Sequence, residues 1–167
     1  MSKDGVLFNH NGSTLIQYPC GINNDTYDIP ESVTTIDSSA FEGCNKLTSI
    51  TIPSIVKTLR SSAFRSCSNL ETVTIEPGLT SIGLLAFQGC SKLTSITIPS
   101  TVTSIPNNAF EECTKLVNVT YYGTSDPGSS TEPLAYIDSL KYLCVPIDYK
   151  TSSFCGQKCI ICQLIII

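Results

Sequence analysis

Between Leu93 and Cys113 the apolar positions are Leu93, Ile96, Ile98, Pro99, Val102, Ile105, Ala109, Phe110 and Cys113, with polar residues between them. The same spacing recurs 23 and 46 residues earlier. Leu47, Leu70, Leu93 and Leu116 form one column. Ile50, Val73, Ile96 and Val119 form a second, and Ile52, Ile75, Ile98 and Tyr121 a third. The pairs Ala40-Phe41, Ala63-Phe64, Ala86-Phe87 and Ala109-Phe110 hold the same register, as do Cys44, Cys67, Cys90 and Cys113. A fixed period of this length predicts a solenoid, in which each repeat is one coil and stacked coils bury a continuous core.

Within a repeat, the apolar residues at relative positions four and six alternate with polar ones, as in a strand with one buried face. A proline follows at Pro30, Pro53 and Pro99, and one place later at Pro77. It ends the ladder because it has no N–H to donate. Two more inward residues come next, such as Val56 and Leu59 or Val102 and Ile105. The remaining Ser/Asn-rich half leads into Ala-Phe and Cys. It is too short for a full helix and predicts short 3₁₀ turns or a single α-helical turn. Residues 1–23 differ: Val6-Leu7-Phe8 and Thr14-Leu15-Ile16 flank an Asn9-His10-Asn11-Gly12 turn and predict a hairpin. That hairpin is expected to cap the first coil, whose apolar end and strand edges would otherwise be open. The repeats are expected over 24–146. After a Gly/Ser/Pro-rich loop at 122–132, Leu140, Leu143, Val145 and Pro146 restore the strand signature, 24 residues after the preceding one. Residues 147–167 are expected to be a C-terminal cap or tail.

A chain of 167 residues with 41% hydrophobic and 14% charged residues is one ordered domain. The net charge of −4 argues against a nucleic-acid partner, which needs a basic footprint. No apolar segment follows Met1–Gly5 as in a signal peptide, and no run reaches the roughly 18 apolar residues of a membrane span. The apolar stretch Cys159–Ile167 reads as a terminal strand or packed tail, or as the start of a longer span. The four cysteines at one repeat position would lie on neighbouring coils about 4.8 Å apart with parallel side chains. A disulfide needs converging Cβ atoms about 3.8 Å apart, so these four are expected to be buried thiols acting as small hydrophobes. Cys20, Cys144, Cys155, Cys159 and Cys162 lie in the end segments. For the C-terminal set, zinc, a cap disulfide and free thiols all stay open. His10 is the only histidine and sits in the hairpin turn. No Gly-rich phosphate loop, paired-carboxylate cleft or metal triad is present. No catalytic residue, metal or cofactor is therefore expected, and the chain is not expected to be an enzyme.

The recurrent Leu-x-x-Ile-x-Ile-Pro-x-x-Val-x-x-Ile-x-x-x-Ala-Phe-x-x-Cys resembles the leucine-rich repeat, specifically the 23-residue BspA-like type of bacterial and protozoan surface proteins. The resemblance covers roughly residues 25–146. Pro53 and Val56 stand where the commoner leucine-rich form has a buried Asn ladder, as in the BspA-like variant. The resemblance implies a right-handed β/α superhelix with a parallel concave sheet and a convex side of short 3₁₀ or single-turn helices. It also implies a binding role, often adhesion to host or matrix proteins, at the cell surface or after secretion. An intracellular protein-interaction scaffold, with a cytoplasmic location, is the alternative.

In that register the outward strand residues are fixed. Ser49, Thr51, Thr72, Thr74, Ser95, Thr97, Asn118, Thr120 and Tyr142 are the expected partner-binding residues, facing a protein that carries or lacks glycans. Threonine also suits strands for its own sake. Lys46, Lys92 and Lys115 line one edge, with Asn69 in the gap. Asp37 with Arg60, and Glu42 with Arg65, occupy matching places on adjacent coils and are expected to pair, each worth about 0–1 kcal/mol.

Overall fold

A computed structural model describes residues 1–128, 134, 137–146 and 148–150, together with the backbone of 160–164. In chain order the strands are β1 (Ser2–Lys3), β2 (Val6–Phe8), β3 (Thr14–Gln17), β4 (Thr35–Ile36), β5 (Ser49–Ile52) and β6 (Thr58–Leu59). They continue as β7 (Thr72–Ile75), β8 (Ser81–Ile82), β9 (Ser95–Ile98), β10 (Asn118–Tyr121), β11 (Tyr142–Pro146) and β12 (Ile160–Leu164). They make two sheets, β1-β2-β3-β4-β6-β8 and β12-β11-β10-β9-β7-β5.

The long-stranded sheet follows the alternation read from the repeats. Ile50, Ile52, Val73, Ile75, Ile96, Ile98, Val119 and Tyr121 point inward and are buried. All its pairings are parallel, and Ser49, Thr72, Ser95 and Asn118 are register partners in turn. The next step, Asn118 to Tyr142, carries the 24-residue spacing seen in the sequence. The tail adds β12 in parallel to β11, with Tyr142 opposite Ile160. Among the described residues no helix is long and apolar enough to cross a membrane. In the other sheet the Val6–Phe8 and Thr14–Gln17 strands pair antiparallel, and β3 then continues in parallel into β4.

The expected helical turns on the remaining side are not found; no helix occurs among the described residues. The backbone explains why. Ser39, Ser62, Leu85 and Asn108 share a left-handed φ near 60°, and so do Gly43, Ser66, Gly89 and Glu112, at 57° to 72°. Two such residues four places apart interrupt any right-handed run. The amides divide their bonds accordingly. Ala40, Glu42 and Cys44 donate three residues back, to the carbonyls of Asp37, Ser39 and Phe41. Ser39, Phe41 and Gly43 donate instead to the next coil, to the carbonyls of Ser61, Ala63 and Arg65, at 3.1, 2.8 and 2.8 Å. Ser62, Phe64 and Ser66 repeat this toward Leu84, Ala86 and Gln88. A helix would spend every amide within its own coil. This wall spends half of them between coils, so it binds the stack as a sheet does.

Behind the wall the phenylalanines stand in single file. Phe41 and Phe64 have ring centroids 4.8 Å apart, and the Phe64–Phe87 and Phe87–Phe110 distances are both 5.6 Å. The last two pairs are parallel to within 2°. Tyr18 extends the file at the N-terminal end, 5.0 Å from Phe41. Phe87 has a ring on both sides and no exposed surface. Phe87→Ala is expected to cost about 3–5 kcal/mol in urea denaturation; a loss under about 1 kcal/mol would place its ring outside the core. The Tyr18 hydroxyl is buried without a partner among the described residues. An unsatisfied buried hydroxyl costs about 1–3 kcal/mol, so Tyr18→Phe is expected to raise stability measurably. A variant less stable than the native protein would reveal a bond to this hydroxyl.

One expectation about the cysteines fails. Cys44 is bridged to Cys20, with Cα atoms 4.4 Å apart. Cys44 is first in its column, and Cys20 lies 24 residues before it, one place off the 23-residue period. That offset brings a sulfur in at an angle that one repeat cannot offer the next. Cys67, Cys90 and Cys113 are free and buried, as the parallel geometry requires.

Candidate functional site

The outer face of the long-stranded sheet carries the nine residues singled out in the sequence. Thr51, Thr72, Thr74, Ser95, Thr97, Asn118 and Tyr142 are exposed, and Ser49 and Thr120 half-buried. Register brings them into two rows. Ser49, Thr72, Ser95, Asn118 and Tyr142 make one. Thr51, Thr74, Thr97 and Thr120 make the other, which ends at Cys144. Asp28 joins the second row at its N-terminal end through a single bridge to Thr51. Parallel pairing with a constant offset produces these rows: every second side chain must face out, at the same height on each coil.

Ion pairs tie adjacent coils on the other walls of the solenoid. Arg60 and Asp37 pair at 3.1 Å, and Arg65 and Glu42 at 3.4 Å, both between adjacent coils as expected. Beside the rows, Lys92 meets Glu71 at 3.8 Å. An open depression of about 450 Å³ is lined there by Glu71, Thr72, Lys92, Thr94 and Lys115. Asn69, which interrupts the lysine column, turns its side-chain amide to the carbonyl of Asn45 at 2.7 Å.

The interior offers no reactive group to this face. The thiols of Cys67, Cys90 and Cys113 donate to the carbonyls of Phe41, Phe64 and Phe87 at 3.0 to 3.2 Å. Burial pushes the Cys67 and Cys113 thiols up to about 12 and the Cys90 thiol well above its ordinary range. A thiol held protonated is a poor nucleophile and a poor metal ligand. Among the described residues no three His, Cys, Asp or Glu side chains converge as a metal site. The side chains of Cys155, Cys159 and Cys162 lie outside the described residues, so the zinc and cap-disulfide readings of that segment do too.

A parallel sheet, a second sheet that is parallel beyond its N-terminal hairpin, and a hydrogen-bonded turn wall around stacked Leu, Ile, Phe and Cys columns define a leucine-rich repeat solenoid. Residues 18–126 match the BspA type leucine rich repeat region, in six copies, and the chain belongs to that family. A leucine-rich cell surface protein of Faecalibacterium prausnitzii is 29% identical, with a TM-score of 0.76 over 86% of this chain and 38% of that one. The pneumococcal vaccine antigen PcpA is 19% identical, with a TM-score of 0.70 over 99% of this chain and 47% of its own. The leucine-rich repeat protein of T. pallidum is 21% identical, with a TM-score of 0.54 over 83% of this chain and 77% of its own. The latter two are so divergent that they speak for the fold alone. The chain spans less than half the length of the first two. No curated protein matches it in sequence. The family and the fold are those of a protein-interaction module, and such solenoids are typically not enzymes.

Proposed function

We propose that this is a non-enzymatic adhesive module of a microbial cell surface, which docks a host or matrix protein on the outer face of the long-stranded sheet. The carrying observation is the pair of in-register rows from Ser49 to Tyr142 and Thr51 to Thr120. The Leu, Ile, Phe and Cys columns are committed to the core, whereas these side chains face water in two continuous rows. Neutral hydroxyls bind weakly one at a time, so affinity on such a face comes from area and from repeated engagement. Two further facts support a surface location. The Cys20–Cys44 disulfide belongs to an oxidising compartment, and the Faecalibacterium relative is itself described as a cell surface protein. The same disulfide weighs against the cytoplasmic scaffold.

Thr74→Lys combined with Thr97→Lys places two long cations in the middle of the face. Stability should change by no more than about 0.5 kcal/mol per exposed site. Binding to immobilised basement-membrane matrix is expected to fall by about tenfold or more, since charge without a partner opposes docking. Unchanged binding would move the docking surface to another wall of the solenoid.

A further inference from the structure

We propose that the C-terminal end of this face binds an acidic polysaccharide, a linear sugar polymer bearing carboxylate or sulfate groups; this rests on reading the outer face as a docking surface and names a ligand class for one end of it. Three lysines step across three consecutive coils there. Lys92 and Lys115 share one column. Lys141 sits on the next coil, its amide donating to the carbonyl of Val117 at 2.9 Å, immediately before Tyr142. Successive coils are about 4.8 Å apart, so the three lysines lie on neighbouring coils, with Lys141 in the column of Thr94 and Val117 rather than that of Lys92 and Lys115. Glu71 reaches Lys92 alone, at 3.8 Å. Among the described residues neither Lys115 nor Lys141 has a carboxylate within ion-pair distance. The opposite end of the same sheet carries Asp25 and Asp28 with Lys46, and Glu112 and Asp138 stand on the coils of Lys115 and Lys141. Asp28 bridges to Thr51, and the Asp25 carbonyl takes the Thr48 amide at 2.8 Å.

The surroundings of the lysines select the polymer. Thr72 and Thr94 line the open depression between Glu71 and Lys115. Ser95 and Asn118 continue the polar row beside it, and Tyr142, 49% exposed, carries it onto the next coil. Ammonium groups make the stronger, charge-assisted bonds to carboxylate or sulfate. Hydroxyl and amide side chains both donate and accept, as sugar hydroxyls do. An exposed tyrosine offers an apolar ring face with a polar tip, which suits the C–H face of a sugar ring. An acidic peptide would use the lysines but has less need of the hydroxyl floor and the aromatic platform. Three lysines on neighbouring coils stand out in a chain whose net charge is −4, so they are not a by-product of a generally basic surface.

The test immobilises polygalacturonate, dextran sulfate, uncharged dextran and polyglutamate, and measures retention of the full chain at low and high salt. The two acidic polysaccharides are expected to retain it, more weakly as salt rises, and dextran is not. Lys115→Glu with Lys141→Glu should weaken retention by about tenfold or more. Tyr142→Ala should weaken polysaccharide retention several-fold without changing its salt dependence. Each variant is checked for an unchanged thermal transition. Retention indifferent to the lysine pair overturns the proposal. So does polyglutamate binding as tightly as the polysaccharides while Tyr142→Ala has no effect, which would make this an acidic-peptide surface. A native chain that binds matrix but neither acidic polysaccharide overturns this inference and leaves the docking face standing. One that binds none of them overturns both.

Discussion

Alkaline solution is expected to unfold this protein through three thiols that have no role in binding. In an unfolded chain a thiol ionises near about pH 8.5. Burial raises Cys67 and Cys113 to about 12 in the folded state, and Cys90 well above the ordinary range. The folded state therefore prefers the protonated form. Its stabilising contribution is complete below about pH 8.5 and is lost as pH rises toward about 12, because the unfolded chain releases protons that the folded one retains. One group contributes a slope of about 1.4 kcal/mol per pH unit, and three contribute about 4. Against a total stability of about 5–15 kcal/mol, that places the alkaline midpoint within about one to four pH units above the thiol value. Tyr27, raised mainly by burial, acts in the same direction at higher pH. Urea denaturation from pH 8 upward, with oxygen excluded, gives the slope. Replacing Cys67, Cys90 and Cys113 by alanine should lower stability at neutral pH, through lost packing, and flatten the alkaline slope by about 4 kcal/mol per unit. Equal slopes in both proteins would mean that these thiols are hydrated.

Much of this was legible in the sequence because stacking imposes one environment on one repeat position. The Leu, Ile and Phe columns, the 24-residue step to Tyr142 and the Asp37–Arg60 and Glu42–Arg65 pairs all follow from aligning the repeats. The outward threonines follow from strand alternation. Three features did not. The turn wall replaces the expected helical turns because of paired left-handed residues. Gly43 and Gly89 signal the second of these, but Ser66 and Glu112 hide it, and Ser39, Ser62, Leu85 and Asn108 mark the first only weakly. The Cys20–Cys44 bridge joins residues 24 apart, one place off the period, so aligning the repeats does not reveal it. A terminal strand was readable in Cys159–Ile167 and is there as β12, but its pairing with β11 at a spacing of 18 residues lies outside the repeat period. For the site, the rows were readable, whereas the absence of an ion pair at Lys115 and Lys141 among the described residues depends on side-chain reach across coils.

The second large effect concerns the stack itself. If each coil is a complete layer, one can be removed without disturbing the rest. Deleting residues 70–92 joins Asn69 to Leu93 and lets Leu93 take the place of Leu70 in its column. Phe110 and Phe64 would then close up as neighbours, Cys113 would donate to Phe64, and Thr97 would stand beside Thr51. Stability should fall, since one coil and its interfaces are lost, but unfolding should remain cooperative. Deleting residues 70–81 removes fewer residues yet cuts about half a turn. It brings turn residues into strand places and turns buried side chains toward water. That chain is expected not to fold.

Far-UV circular dichroism with urea unfolding of the two deletions is the most direct measurement of whether this molecule is built from interchangeable coils. A native-like spectrum and a single cooperative transition for the 23-residue deletion, with neither for the shorter one, is the predicted result. Two deletions that fold equally well, or fail equally, would contradict it.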